Sequence, residues 1–437
     1  MKEANHNTHF NQFARYAGLS VLGTLGVSCY ILADTFFIAT ALGSNGLAAL
    51  NLAIPIYSLI HGSGLMLGMG GATRYAILHH QGKKEASQQV YTHTLALGAI
   101  LALLFFLCGL FGADAITYAL GTDEDVFSMT RTYLQVLLLF SPLFLLNDII
   151  LPFVRNDGAP RLAMMGLMGS SLGNIVLDYI FIFPLNMGIF GAVLATSLAP
   201  CISLLLLLPF FLKGNNSFRP VHCPICLHTA GIMITLGLPS LITEVSAGIV
   251  MIVFNRILLS LQGNLAVAAY GVVSNLSLVV TAIYTGIAQG TQPLLSRDYG
   301  CGNFARVRRF LGYALVSSLL LSAGIYTAIL LGAPLITSAF NRQGDAQLQS
   351  IAVQGLRLYF SSCFFTGTNV VLSTYFSSIE HSRPSNTISL LRGLVIVVPM
   401  AVLLSNTWGV VGLWFTVTAT ELLVAILGIV CYQRLKR

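Results

Sequence analysis

The sequence predicts an all-α polytopic membrane protein with twelve transmembrane helices in two six-helix lobes. Three observations lead there. Hydrophobic residues make up 56% of the 437 residues and charged residues only 8%, whereas a soluble domain carries about 25% charge. Twelve apolar stretches approach the roughly 20 residues that a helix needs to cross the hydrocarbon. The chain also repeats itself at an offset close to half its length.

The stretches are 16–38, 47–69, 91–113, 132–154, 162–183, 188–211, 230–254, 266–289, 310–332, 355–377, 387–405 and 410–431. The first follows a polar start, M-K-E-A-N-H-N-T-H-F, with no basic segment leading into a cleavable one, so it reads as a retained span. It carries Asp34. The fourth carries Asn147 and Asp148, the fifth Asn174 and Asp178, and the sixth Thr196. The seventh carries Pro239, which bends it, and Glu244. The eighth carries Asn275, Gln289 and Gln292 ahead of Pro293. The tenth has no acid, with Glu380 just beyond its end, and the twelfth carries Glu421. The turns R-N-D-G-A-P-R (155–161) and E-H-S-R-P (380–384) stop and restart helices.

Charge sets the sidedness. With the amino terminus inside, all but four of the 22 Lys and Arg fall on the inner side; Arg131, Arg256, Arg342 and Arg357 remain outside. This asymmetry follows the positive-inside rule. It places both termini in the cytoplasm and requires an even number of spans. The net charge of +7 is spread between apolar runs, so it reads as topology and not as a nucleic-acid surface.

The repeat is weak block by block and consistent in spacing. At an offset of 220, Ala48-Ala49 meets Ala268-Ala269, Gly70 meets Gly290, and Gly82 meets Gly302; G-I-F-G (188–191) meets G-V-V-G (409–412) at 221. Six spans per half make the repeats parallel, related by a pseudo-two-fold along the membrane normal. The predicted divisions are lobe 1–212, cytoplasmic linker 213–228 and lobe 229–437.

The chemistry-bearing residues are the intramembrane acids, because a carboxylate at membrane depth is expensive and usually faces a working cavity. Asn174 lies one helical turn before Asp178, on the same face. Asp34, Asp178, Asn174 and Thr196 are predicted to form one polar cluster. Two carboxylates in low dielectric do not both ionise cheaply, so the cluster suits proton exchange; its oxygens equally suit a hard cation such as sodium. The bland alternative is a structural polar clasp. Glu244 reads as a cavity acid for a cation, or as a packing residue among Ser240, Thr243, Ser246 and Gly248. Asp148 with Asn147 reads either way. Asn275, Gln289 and Gln292 line a pathway or cap a bent helix, and Glu421 reads as packing.

Other chemistries find no support. No P-loop, H-E-x-x-H or G-x-S-x-G occurs, so neither an ATP engine nor an enzyme is expected, and no cofactor. V-H-C-P-I-C-L-H (221–228) has a zinc-like spacing, but one cysteine pair in one loop reads as incidental.

Several blocks resemble the MATE (multidrug and toxic-compound extrusion) family: Y-I-L-A-D-T-F-F-I (30–38), L-G-S-N-G-L-A-A-L (42–50), G-M-G-G-A-T-R-Y-A (68–76) with Q-G-K-K-E-A (81–86), F-V-R-N-D-G-A-P (153–160), G-N-I-V-L-D-Y-I-F (173–181), G-I-F-G-A-V-L-A-T (188–196) and G-I-A-Q-G-T-Q-P-L-L-S (286–296). The first-lobe blocks are most similar to the prokaryotic branch of DNA-damage-inducible and staphylococcal exporters. The resemblance implies an antiporter of small amphipathic, cationic compounds driven by proton or sodium entry, with a V-shaped cavity between its lobes. It implies a monomer among lipids in a prokaryotic inner membrane. It also implies that Asp34, Asn174, Asp178 and Thr196 form the ion-coupling site. Glu244 resembles a second-lobe glutamate of some relatives, here without their tenth-span aspartate. The alternative is a flippase for a lipid-linked precursor, not coupled to an ion.

Overall fold

A computed structural model describes residues 2–224, 226–341 and 345–436, with side chains from Thr8 to Leu435. Arg342, Arg437 and the side chains of Lys2 and Lys436, all counted in the charge asymmetry, lie outside the described set. The chain is all-α, with no strand among the described residues. In order come α1 (Lys2–His80), α2 (Lys84–Phe111), α3 (Ala113–Ala119), α4 (Glu124–Leu139), α5 (Ser141–Asn156), α6 (Pro160–Ile182), α7 (Gly188–Leu212), α8 (Leu227–Gln262), α9 (Asn264–Gly300), α10 (Phe304–Phe340), α11 (Ala346–Tyr359), α12 (Cys363–Ser378), α13 (Ser382–Leu390) and α14 (Val397–Lys436). A 3₁₀ turn links α11 to α12, and a π-helical turn, Leu391–Val395, links α13 to α14.

Every predicted stretch falls on helix, although the helices are joined differently. Thr8–His80 is one apolar helical run of 73 residues, roughly 110 Å at 1.5 Å per residue, far more than one crossing needs. Gly43 breaks it with φ 65° and ψ −150°, a conformation open to glycine and costly for a residue with a Cβ. Gly409 breaks α14 in the same way, with φ 61° and ψ −139°. The fourth predicted stretch is bent by 50° between α4 and α5. The tenth is assembled from α11, the 3₁₀ turn and α12.

These left-handed residues also carry the repeat. Gly43 and Gly263, and Gly82 and Gly302, are positive-φ pairs at the same offset of 220, and Gly188 pairs with Gly409 one residue later. The halves share their chain reversals as well as their sequence blocks.

Packing divides the chain into two compact units. One comprises Gly18–Val245 and Ser296–Phe304; the other comprises Met1–Ala17, Ser246–Leu295 and Ala305–Arg437. This differs from a cut at the 213–228 linker. The first half of α8 packs with the first-half helices, and the start of α1 packs with the second-half helices. The physical cause is close helix contact at small residues. A Cβ on Gly237 would stand 1.8 Å from Met66 O, and one on Gly70 would stand 2.0 Å from Met233 O, so α1 and α8 touch backbone to backbone. In the other unit a Cβ on Gly290, the repeat mate of Gly70, would stand 2.5 Å from Tyr16 O. Equivalent glycines make equivalent contacts. Phe10 and Phe13 complete that contact with edge and tilted packing on Tyr313.

In the first unit, one core gathers Tyr75, Tyr91, Phe153, Leu207 and Met233 around Phe218 of the linker. Phe218 is fully buried. Ser217 N donates to Asp157 Oδ2 at 2.7 Å, and Thr92 Oγ1 accepts from Val221 N at 2.9 Å. The linker is therefore fixed to the first unit. Burial pushes the Asp157 carboxyl above its ordinary range, while the bonds from Ser217 pull it back. Cys226 N donates to His93 Nε2 at 2.7 Å.

In the second unit a core around Trp414, Tyr270, Phe254 and Phe360 flanks a buried ion pair. Arg392 donates to Glu421 Oε1 from Nε at 3.1 Å and Nη2 at 2.7 Å, and Asn369 Nδ2 donates to Glu421 Oε2 at 2.6 Å. The Arg392 side chain is 13% exposed. This arginine, counted with the inner-side charges from sequence, is instead partnered in the interior of its unit. Arg392→Ala is expected to destabilise the protein by about 3–5 kcal/mol, because Glu421 loses its counter-charge without leaving the core. The double variant R392M/E421L should recover most of that loss, as read by thermal unfolding in detergent.

Candidate functional site

Asp34 and Asp178 are brought together by the packing of α1 on α6. Cβ atoms on Gly23 and Gly26 would press on Leu167 and Met168, and the Gly26 position also meets Ser171. Contacts advance in the same direction along both helices, so the two run parallel. Continuing that register sets Asp34 opposite Asp178, and the two carboxylates interact electrostatically. Both are buried, at 6% and 0% exposure. Asp34 Oδ1 and Asp178 Oδ1 accept no hydrogen bond.

The α6–α7 hairpin supplies the other two members. With its amide nitrogen toward Asp178, Asn174 donates to Asp178 Oδ2 at 3.0 Å, and its oxygen accepts from Thr196 N at 3.1 Å. Thr196 Oγ1 lies 3.4 Å from the same amide. Tyr133 of α4, itself buried, interacts electrostatically with Asp34 and Asp178 beside this group. All four residues predicted from sequence meet in one place. Tyr133, which sequence reasoning missed, closes it.

A second cluster lies in the same unit. His61 Nδ1 stands 2.9 Å from Asp148 Oδ2, with side-chain exposures of 24% and 7%. The ring stacks on Tyr57 at 5.7 Å and 14°. Glu244 interacts electrostatically with His61 and Asp148. The spacing is set by glycines: a Cβ on Gly64 would stand 2.7 Å from Asp148 Cβ, and one on Gly62 would stand 3.1 Å from Glu244 Cβ. Asp148 and Glu244 therefore share a site that also contains a histidine. Glu244, expected in the second lobe, packs in the unit of Asp34. His61 was missed from sequence; its setting, I-H-G-S-G within an apolar run, was the available signal.

The two clusters are joined by tyrosines. Tyr30 lies one turn before Asp34, and its hydroxyl is 2.9 Å from that of Tyr57. Tyr30 interacts electrostatically with Asp34, Asp148 and Asp178. A polar line therefore runs from Thr196 and Asn174 through the two aspartates and two tyrosines to His61, Asp148 and Glu244.

Asn147 is buried with its Oδ1 unbonded. Asn275, Gln289 and Gln292 lie on α9 in the other compact unit, Gln292 fully buried. In that unit Arg392, Glu421, Ser277, Thr281 and Tyr359 line a cavity of about 120 Å³.

Chemically, the first cluster offers two carboxylates, an amide and a hydroxyl without a cation among them. Such a set takes up protons or a small hard cation. Among the described residues no group of three or more His, Cys, Asp and Glu is arranged to hold a metal ion; the first cluster has two acids and draws its other oxygens from Asn174 and Thr196.

The MatE family profile matches residues 20–180 and 239–403. The chain is 24% identical over 411 residues to the multidrug export protein MepA of Staphylococcus saprophyticus, covering 93% of this chain and 89% of that protein. It is 25% identical over 410 residues to MepA of Staphylococcus haemolyticus, covering 93% and 90%. Among solved structures, a MATE transporter in complex with MaL6 superposes with a TM-score of 0.91 at 24% identity, covering 97% of this chain and 95% of the other. A MOP superfamily transporter from Pyrococcus furiosus superposes at 0.90 with the same identity and coverage. These structural matches show the fold.

Proposed function

The chain belongs to the MatE family, and from that premise we propose that it is a secondary active antiporter. It exports small amphipathic, cationic organic compounds in exchange for inward protons or sodium ions. The observation that carries this reading is the buried set Asp34, Asp178, Asn174 and Thr196, with two carboxylate oxygens that accept no hydrogen bond. A carboxylate pair held in low dielectric gains most from binding a proton or cation and loses most on releasing it. That difference is what couples an ion gradient to a conformational change. Sequence relatives named as multidrug exporters support the substrate class.

In this reading the two sequence halves alternate access about the repeat axis, both termini are cytoplasmic, and the protein works as a monomer in a prokaryotic plasma membrane. The oxygen donors fit sodium as they fit a proton. A flippase gripping pyrophosphate is less well supported, since carboxylates, amides and hydroxyls suit cationic cargo. The test is dye efflux from proteoliposomes under an imposed pH gradient, then under an imposed sodium gradient. Uphill efflux under either supports antiport and names the ion; none under both overturns it.

Glu244 is proposed to set cation preference. Glu244→Gln should weaken transport of a lipophilic cation about tenfold, a charge-pair loss of about 1.4 kcal/mol, while a neutral amphiphile is transported as before. Equal losses for both would refute the assignment.

A further inference from the structure

The second cluster contains something a simple cation pocket lacks, a side chain that can itself carry a positive charge. His61 pairs with Asp148 of α5 at 2.9 Å and interacts electrostatically with Glu244 of α8, two acids from different helices. Asp148 is buried, and a buried carboxylate needs a charged or hydrogen-bonding partner. Among the described residues its only ion-pair partner is His61. The site is built tightly, since glycines at 62 and 64 bring the α1 backbone against both acids. Tyr57 offers its ring face beside the imidazole, a surface that also attracts organic cations. Of the His61–Asp148 pair the ring is the more open, 24% against 7%.

We propose that His61 is the exchangeable resident cation of this site: a lipophilic organic cation displaces the imidazolium proton and takes its place between Asp148 and Glu244, against Tyr57. This inference rests on the cation-export reading above. The charges balance. Before binding, one imidazolium faces two carboxylates; afterwards one organic cation and a neutral imidazole face the same two. One N–H bond of His61 breaks, its electron pair stays on nitrogen, and the proton leaves to water. Binding of one monovalent cation thus expels one proton, while a neutral amphiphile expels none. The groups facing His61 are Asp148, Glu244 and Tyr57. Tyr30 lies behind Tyr57, with Asp34 and Asp178 beyond it. Through the Tyr57–Tyr30 hydroxyl contact, the state of His61 is felt at the coupling pair.

The test follows the charge state of His61 directly. Nitrogen-15 NMR of histidine-labelled full-length protein in nanodiscs assigns His61 by its loss in His61→Gln. Without ligand at neutral pH, His61 is expected as imidazolium. Saturating tetraphenylphosphonium should convert it to the neutral ring, in wild type and in Asp178→Asn alike. Binding affinity should rise about tenfold per pH unit while His61 is charged, the slope for one proton exchanged per cation. His61→Arg, which keeps a fixed charge, should flatten that slope and weaken binding. A neutral ring before ligand, or an imidazolium that persists with tetraphenylphosphonium bound, overturns the exchange and leaves coupling at Asp178 standing. Failure of wild type to bind tetraphenylphosphonium at all overturns the substrate class, and the exchange with it. Loss of transport in Asp178→Asn with the His61 response intact supports both.

Discussion

Asp178→Asn is expected to reduce uphill efflux to the passive leak while the protein stays folded and inserted. The carboxamide matches the carboxylate in size and still contacts Asn174, so packing in the fully buried site is kept. What is lost is the ability to bind and release a proton or to contribute a charged oxygen to a sodium ion. Replacing one of the two buried carboxyls also removes the cost of ionising a second charge beside the first. Thermal stability should therefore hold or rise, within about 1 kcal/mol. Asp34→Asn should behave in the same way, because the two carboxylates act on one another. Proteoliposome efflux under both gradients, paired with a thermal melt, separates this outcome from misfolding. Full efflux by a correctly inserted Asp34→Asn or Asp178→Asn variant would falsify the coupling role.

Gly237→Val is expected to cause a large loss of stability, about 3 kcal/mol or more. A Cβ there would stand 1.8 Å from Met66 O, and backbone cannot rotate aside as a side chain does. The first half of α8 would have to withdraw from α1. That withdrawal breaks the core around Met233 and Phe218 and carries Glu244 away from His61, so folded yield and cation binding fall together. Gly290→Val should err in the same direction, with 2.5 Å to Tyr16 O. Gly231→Ala is the control, since nothing lies within 4 Å of a Cβ there. Size-exclusion profiles and melting temperatures report the ranking; a Gly237→Val variant as stable as wild type would show that α1 and α8 are not in backbone contact.

Much of the first cluster was readable in the chain. Asp34 and Asp178 are conspicuous because acids are rare in such apolar runs, and Asn174 is tied to Asp178 by helical spacing alone. Asp148 and Glu244 were equally conspicuous, but their partner was not. A histidine in an apolar run carries no fixed charge, so nothing in composition separates His61 from a packing residue. Arg392 shows the opposite failure. Its charge was read as topology because sidedness counts assume that charges near a span end face water, and here a buried glutamate provides a closer partner.

The sequence by itself determined the membrane class, the twelve helical stretches, the two-fold repeat and the acids worth asking about. These follow from local rules: span length, charge asymmetry, and spacing along one helix. Only the tertiary structure decided that the first half of α8 packs with the first-half helices, that His61 pairs with Asp148 and interacts with Glu244, and that Tyr30 and Tyr57 join the two clusters. Those arrangements depend on which helices approach to backbone contact. That approach is granted by glycines whose partners are more than eighty residues away in sequence, as Gly64 is from Asp148 and Gly70 from Met233. A glycine in a sequence marks where a neighbour can come close; only the folded chain shows which neighbour does.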